Sequence, residues 1–66
     1  MQPHQQRVVN EKTELDTKSA ALFEFVVHNS IFPTLDPTEQ ERLKKQHDVM
    51  GQYSDILGER IAAFPS

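Results

Sequence analysis

The 66-residue chain contains no cysteine and no tryptophan, only one tyrosine and only two glycines. Each shortage removes a class of explanation. Without cysteine there is no disulfide framework, no thiolate nucleophile and no zinc-thiolate site. His4, His28 and His47 are scattered, with no pair at i and i+4, so neither a metal nor another cofactor is expected. A Gly-rich phosphate loop, a His-Glu-x-x-His helix and a serine set beside a histidine and an acid are all missing, and the expectation is a protein that is not an enzyme. No apolar run approaches the ~20 residues that span a bilayer, and no signal-peptide pattern is present, which reads as a soluble, cytoplasmic protein without a membrane partner. Basic residues do not dominate either. Seven Lys and Arg against ten Asp and Glu leave a net charge of −3, which argues against general DNA or RNA binding through a basic face.

What is present is helical periodicity. Leu43, Met50, Leu57 and Phe64 recur every seven residues, directly after Asp36-Pro37-Thr38-Glu39. Asp36 offers a carboxylate to the free amides of a first turn, Pro37 has no amide to leave unpaired, and Glu39 stands where a capping box would close. The spacing predicts a helix over about residues 37–63, with Pro65 beyond its end. Gly51 and Gly58 interrupt it seven residues apart, at roughly 1 kcal/mol each relative to Ala. They are either tolerated surface positions or a bare strip where another helix or a ligand approaches closely.

The first half predicts a second helix over about 3–29. Val8, Leu15 and Leu22 form its heptad series, with Lys12, Ser19 and Val26 as companions four residues on. Lys12 has two readings, a stem that snorkels along the seam or an ammonium that serves a ligand. Between the helices, Asn29 marks an end, Pro33 prevents continuation, and Ile31, Phe32 and Leu35 are apolar enough to fold back over the tip. A connection this short makes the helices antiparallel neighbours. The expected fold is therefore all-α, a single two-helix hairpin domain over 1–66. With 36% apolar residues and a mean hydropathy of −0.61, so small a chain has little material for a private core, and self-association into a homo-oligomeric bundle is expected. Candidate interface residues are Val8, Leu15, Leu22, Met50, Gly51, Leu57 and Gly58.

Despite the acidic balance, basic residues cluster locally as Arg7, Lys12 and Lys18 and as Arg42, Lys44 and Lys45, so a positive pocket for a small anion is possible. Tyr53 sits with Gln46 and Arg60 on a stripe beside the seam. Its ring reads either as core with the hydroxyl at the edge or as a stacking platform. Arg60 reads as a partner for an acid or for a phosphate, and His47 as a boundary residue or a pH-sensitive group.

Three segments carry a resemblance: Gln6-Arg7-Val8-Val9-Asn10-Glu11-Lys12-Thr13-Glu14-Leu15, Leu43-Lys44-Lys45-Gln46-His47-Asp48-Val49-Met50-Gly51-Gln52-Tyr53, and Ile56-Leu57-Gly58-Glu59-Arg60-Ile61. Together they resemble the small helical-hairpin proteins of phages and prophages, and in particular the sponges that block CBASS immunity by sequestering cyclic oligonucleotides. A Thoeris-blocking sponge family shares that fold. The resemblance implies a homo-oligomer, dimer to hexamer, with the hexameric assembly built from hairpin dimers, in an infected or lysogenic bacterial cytoplasm, holding cyclic di- or trinucleotides between protomers without cleaving them. The candidate nucleotide-binding residues it implies are Arg7, Lys12, Lys18, Lys45, Gln46, Tyr53 and Arg60, with Arg or Lys on phosphates, Tyr53 on a base and Gln46 on base edges. The chain departs from the sponges at Lys12, where they carry an aromatic, and at Ala21, where they carry a lysine. The alternative function is a small phage adaptor that docks on a host or phage protein through a helix face.

Overall fold

The computed structural model describes residues 1–65. Two α-helices of equal length, α1 (Pro3–His28) and α2 (Pro37–Ala62), run antiparallel, joined by a short 3-10 turn at Phe32–Thr34. At 1.5 Å per residue, 26 residues make about 39 Å of helix, and the molecule is correspondingly a rod of 48 × 15 × 14 Å. Both predicted spans agree to within a residue at each end.

The helix ends differ from expectation in one respect. Asp36 caps α2 as anticipated, its Oδ1 accepting from the Thr38 amide at 2.8 Å. Glu39 closes no box, however, because its carboxylate accepts from Arg42 Nε at 2.8 Å, one turn ahead. The reach-back instead occurs in α1, where the Gln2 amide donates to Gln5 Oε1 at 2.9 Å. That bond accounts for a glutamine that is 92% covered without an unsatisfied buried oxygen or nitrogen.

The tip is tied down by polar groups on both sides of the turn. Asn29 Oδ1 accepts from the Ile31 amide, and Gln40 Nε2 donates to the carbonyls of Pro33 and Leu35. Phe32 folds back as predicted and meets Phe25 edge-on, ring centroids 6.1 Å apart. Leu35 is half-buried, whereas Ile31 stays 56% exposed and takes no part in the tip core. Its backbone is committed to the Asn29 turn, which points the side chain outward.

The interior of the hairpin is thin. Val8, Phe32 and Leu57 are the buried apolar residues among those described, and Leu57 alone has no exposure at all. Leu15, Leu22, Leu43, Met50 and Phe64 lie on the predicted stripes but remain half-exposed, because two cylinders touch along a line and cannot enclose each other. Large apolar side chains are left on the outside, among them Phe23, Val27, Val49, Tyr53 and Ile56. No described helix is long and apolar enough to cross a membrane.

Candidate functional site

Helical geometry sorts the charged residues onto two sides of the seam. At about 100° per residue, Lys12, Asp16, Phe23 and Val27 of α1 project to one side of the Val8-Leu15-Leu22 stripe. They meet Ser54, Gly58 and His47 of α2 there, as the contacts between them attest. On the opposite side lie Arg7 and Lys18 of α1, with Lys45, Gln46, Tyr53 and Arg60 of α2. Six of the seven residues expected to bind nucleotide thus share one face, and Lys12 stands apart on the other.

Lys12 is occupied by the fold. Its ammonium donates to Asp16 Oδ2 at 2.8 Å and to Ser54 Oγ at 3.0 Å, while the Ser54 hydroxyl donates to the second carboxylate oxygen of Asp16. Three side chains from two helices satisfy one another in a closed ring. The lysine hydrogen bond, then the serine one, hold the Asp16 carboxyl below its ordinary 3.8. To arrive there, the Lys12 stem passes over Gly58, where an added Cβ would stand 3.5 Å from Cε. The snorkelling reading of Lys12 therefore describes its stem, and one partner of the Gly58 backbone is this chain's own lysine. Gly51 faces open space.

The other face keeps its cations unengaged. Lys12, Arg42 and Lys44 have a carboxylate within 4.0 Å, but Arg7, Lys18, Lys45 and Arg60 have none among the described residues. Glu11 and Glu14 share this side of α1, yet neither closes on Arg7 or Lys18 to ion-pair distance. Tyr53 is 41% exposed between them, so its ring is a surface group and not core. Gln46 approaches only Met50 Sδ, at 4.0 Å. Arg7 and Arg60 lie towards one end of this face and Lys18 and Lys45 about 20 Å away along the helices, so an unpaired cation at either end can meet a phosphate while the exposed phenol between them can lie against a planar base.

Of the candidate interface residues, Val8 and Leu57 are already covered within the hairpin and have no surface left for a second copy. Leu15, Leu22 and Met50 are half-exposed at the seam margin, and Gly51 is open. Sequence reasoning did not single out Asp16 and Ser54 of the ring, although Asp16 four residues after Lys12 was the local signal. It also missed a cleft of about 360 Å³ lined by Phe23, Val26, Val27, Lys44, His47 and Asp48. There Phe23 and His47 face each other with ring centroids 5.7 Å apart, tilted by 37°.

The family model described as Sequestin matches residues 2–63, both helices and the tip between them. The chain belongs to the Sequestin family. No curated protein and no solved structure matches it. Sequestin membership covers every residue of the basic face, from Arg7 to Arg60, as well as the Lys12 ring and the Phe23 cleft.

Proposed function

We propose that this protein binds and sequesters cyclic oligonucleotide or related nucleotide second messengers without cleaving them, acting as a phage-encoded homo-oligomer in the bacterial cytoplasm. The observation that carries the reading is that Arg7, Lys18, Lys45 and Arg60, none with a carboxylate within 4.0 Å among the described residues, are strung along the same face as the exposed Tyr53 on a chain with net charge −3. Cations left unpaired on an acidic protein are suited to an anionic ligand. The family name itself denotes sequestration, and retention alone achieves it: a protein in excess lowers the free messenger in proportion to its affinity. The thin interior supports the oligomer, since a rod with three buried apolar residues among those described gains most from covering Val49 and Ile56, each 53% exposed, against a second copy.

The test is thermal unfolding against a panel of cyclic dinucleotides, cyclic trinucleotides and ADP-ribose-type messengers. At a hundredfold excess over Kd a ligand of the native state adds about 2.7 kcal/mol, and a flat response across the panel overturns the proposal. The exposed Val49, Tyr53 and Ile56 stripe also favours a second reading, an adaptor that holds a host or phage protein on that helix face. Under that reading messengers leave the melting curve unchanged, and a purified partner protein shifts it.

A further inference from the structure

A lone hairpin of 7.6 kDa leaves a large share of itself in water. The chain exposes 4984 Å², against about 4,300 Å² for a compact protein of that mass. The excess, about 700 Å², is close to the roughly 800 Å² that one partner contributes to a stable interface. Part of that surface is apolar and lies on the Lys12 side of the seam. Ala20, Phe23 and Val27, spaced i, i+3 and i+7, are exposed along one face of α1, Phe23 by 46% and Val27 by 52%. Phe23 and Val27 line the cleft of about 360 Å³ together with Val26 and His47.

The residues around this cleft are arranged to match a copy of themselves. Phe23 and His47 mark one level of the rod, their ring centroids 5.7 Å apart across the seam. A two-fold axis crossing both helices at that level lays α1 on a second α1 and α2 on a second α2, each pair antiparallel. It exchanges residues equally far above and below it. Phe23 then meets the partner's Phe23, ring against ring. Val27, four residues after Phe23, falls opposite the partner's Ala20, three residues before it, so a branched side chain meets the smallest one on the face.

On α2 the same axis runs between Lys44 and Asp48, which flank His47. Within the chain these two do not pair. Lys44 reaches the exposed Glu41 at 3.5 Å, and Asp48 has no ion-pair or hydrogen-bond partner among the described residues. The two-fold sets each Asp48 near the partner's Lys44, whose ammonium keeps two donors beside the one it offers Glu41. Exposed pairs of this kind add little affinity, and their part is to fix the register.

We propose that the Phe23 cleft is a contact between two copies of this chain, related by a two-fold axis at the level of Phe23 and His47. The proposal rests on the self-association in the reading above, adds a contact on the opposite side from Val49 and Ile56, and needs no nucleotide. The experiment is light scattering of the full chain. Val27→Asp, at a position open to water in the single hairpin and checked for unchanged helicity by circular dichroism, should reduce the mass to at most half that of the wild-type assembly. Ile56→Asp reports on the other side in the same way.

Cross-linking supplies the geometry, because the chain has no cysteine of its own. Ala20→Cys and Val27→Cys chains, mixed and then treated with an oxidant, should give a disulfide-linked dimer, their Cα atoms lying within the roughly 4.4–6.8 Å that a disulfide spans. Either variant alone should give little, since its two cysteines stand roughly 10 Å apart along the axis. A monomeric wild type, a mass unchanged by Val27→Asp, or equal cross-linking in the mixture and the single variants overturns the proposal. The two readings fail separately. A flat messenger panel with mass lost in Val27→Asp removes sequestration and keeps this contact, whereas messenger binding by an assembly that Val27→Asp leaves whole does the reverse.

Discussion

On one side of the seam Lys12, Asp16 and Ser54 satisfy one another across the two helices, and the lysine stem fills the notch at Gly58. On the other, Lys18 and Tyr53 face solvent and Arg60 has no acid within 4.0 Å among the described residues. The contrast shows that a charge on a helical hairpin is assigned by the few tens of degrees it sits from the contact line. Close to the line, a lysine finds partners on the opposite helix and becomes part of the fold. Farther round, it meets only water and remains available. This is why Lys12 and Lys18, six residues apart in one helix, have different surroundings.

The heaviest blow to both faces together is at Leu57, which lies beneath them with no exposure. Leu57→Ala should cost about 2–5 kcal/mol, read as a large drop in the urea midpoint, and a loss below 1 kcal/mol would mean that the seam is not where the hairpin gains its stability. Next, Arg7→Ala combined with Arg60→Ala, level with each other in the antiparallel register, should weaken messenger binding about a hundredfold, two charged contacts removed, with the stability of the free protein changed by no more than about 0.5 kcal/mol. The Lys12 side gives the opposite pattern if the comparison holds. Lys12→Met should lower stability and leave the messenger Kd within about twofold, and calorimetry on both variants shows whether the roles are divided in this way.

A smaller effect separates the two glycines. Gly51→Ala meets nothing within 4 Å and should stabilise α2 by about 1 kcal/mol from helix propensity. A loss instead would show that a second copy packs on that bare position. Smallest is the acid response of the ring. Because the folded Asp16 carboxyl lies below its ordinary 3.8, its contribution is complete above that value and disappears as pH falls through the lower, folded one. Asp16→Asn should therefore flatten the decline of the urea midpoint below about pH 4, and equal slopes in both proteins would deprive the ring of any stabilising role.

Much of the fold was legible because it is local. Seven-residue spacing in Val8-Leu15-Leu22 and Leu43-Met50-Leu57 marks two helices, and Asp36-Pro37 marks a start, all from neighbours within a turn or two. Glu39 misled for the same reason. Its capping partner and Arg42 compete at equal range, and the sequence does not rank them. The candidate site was half legible. Composition and resemblance drew out Arg7, Lys12, Lys18, Lys45, Tyr53 and Arg60, and helical periodicity alone sets Lys12 apart from Arg7 and Lys18, but which α2 residues join each side depends on how the helices are rotated against each other. That rotation is set by contacts such as Lys12 with Ser54, 42 residues apart. Phe23 and Val27 gave a fainter signal, two apolar residues one turn apart and off the heptad stripe, that became a cleft only once His47 was placed opposite.

The distribution of burial along the rod has a consequence for how it breathes. Val8 and Leu57 are buried near the open end and Phe32 at the tip, while Leu15, Leu22, Leu43 and Met50 between them are covered less completely. Hydrogen exchange should therefore find two slow ends and a permeable waist. Among the amides bonded within the helices, those of Lys18 to Leu22 and of Lys44 to Gly51 would exchange before those beside Val8 and Leu57. The waist is also where the Phe23 and His47 rings meet across the seam, 5.7 Å between centroids, so the most easily opened stretch of the hairpin is the one closed by an aromatic contact.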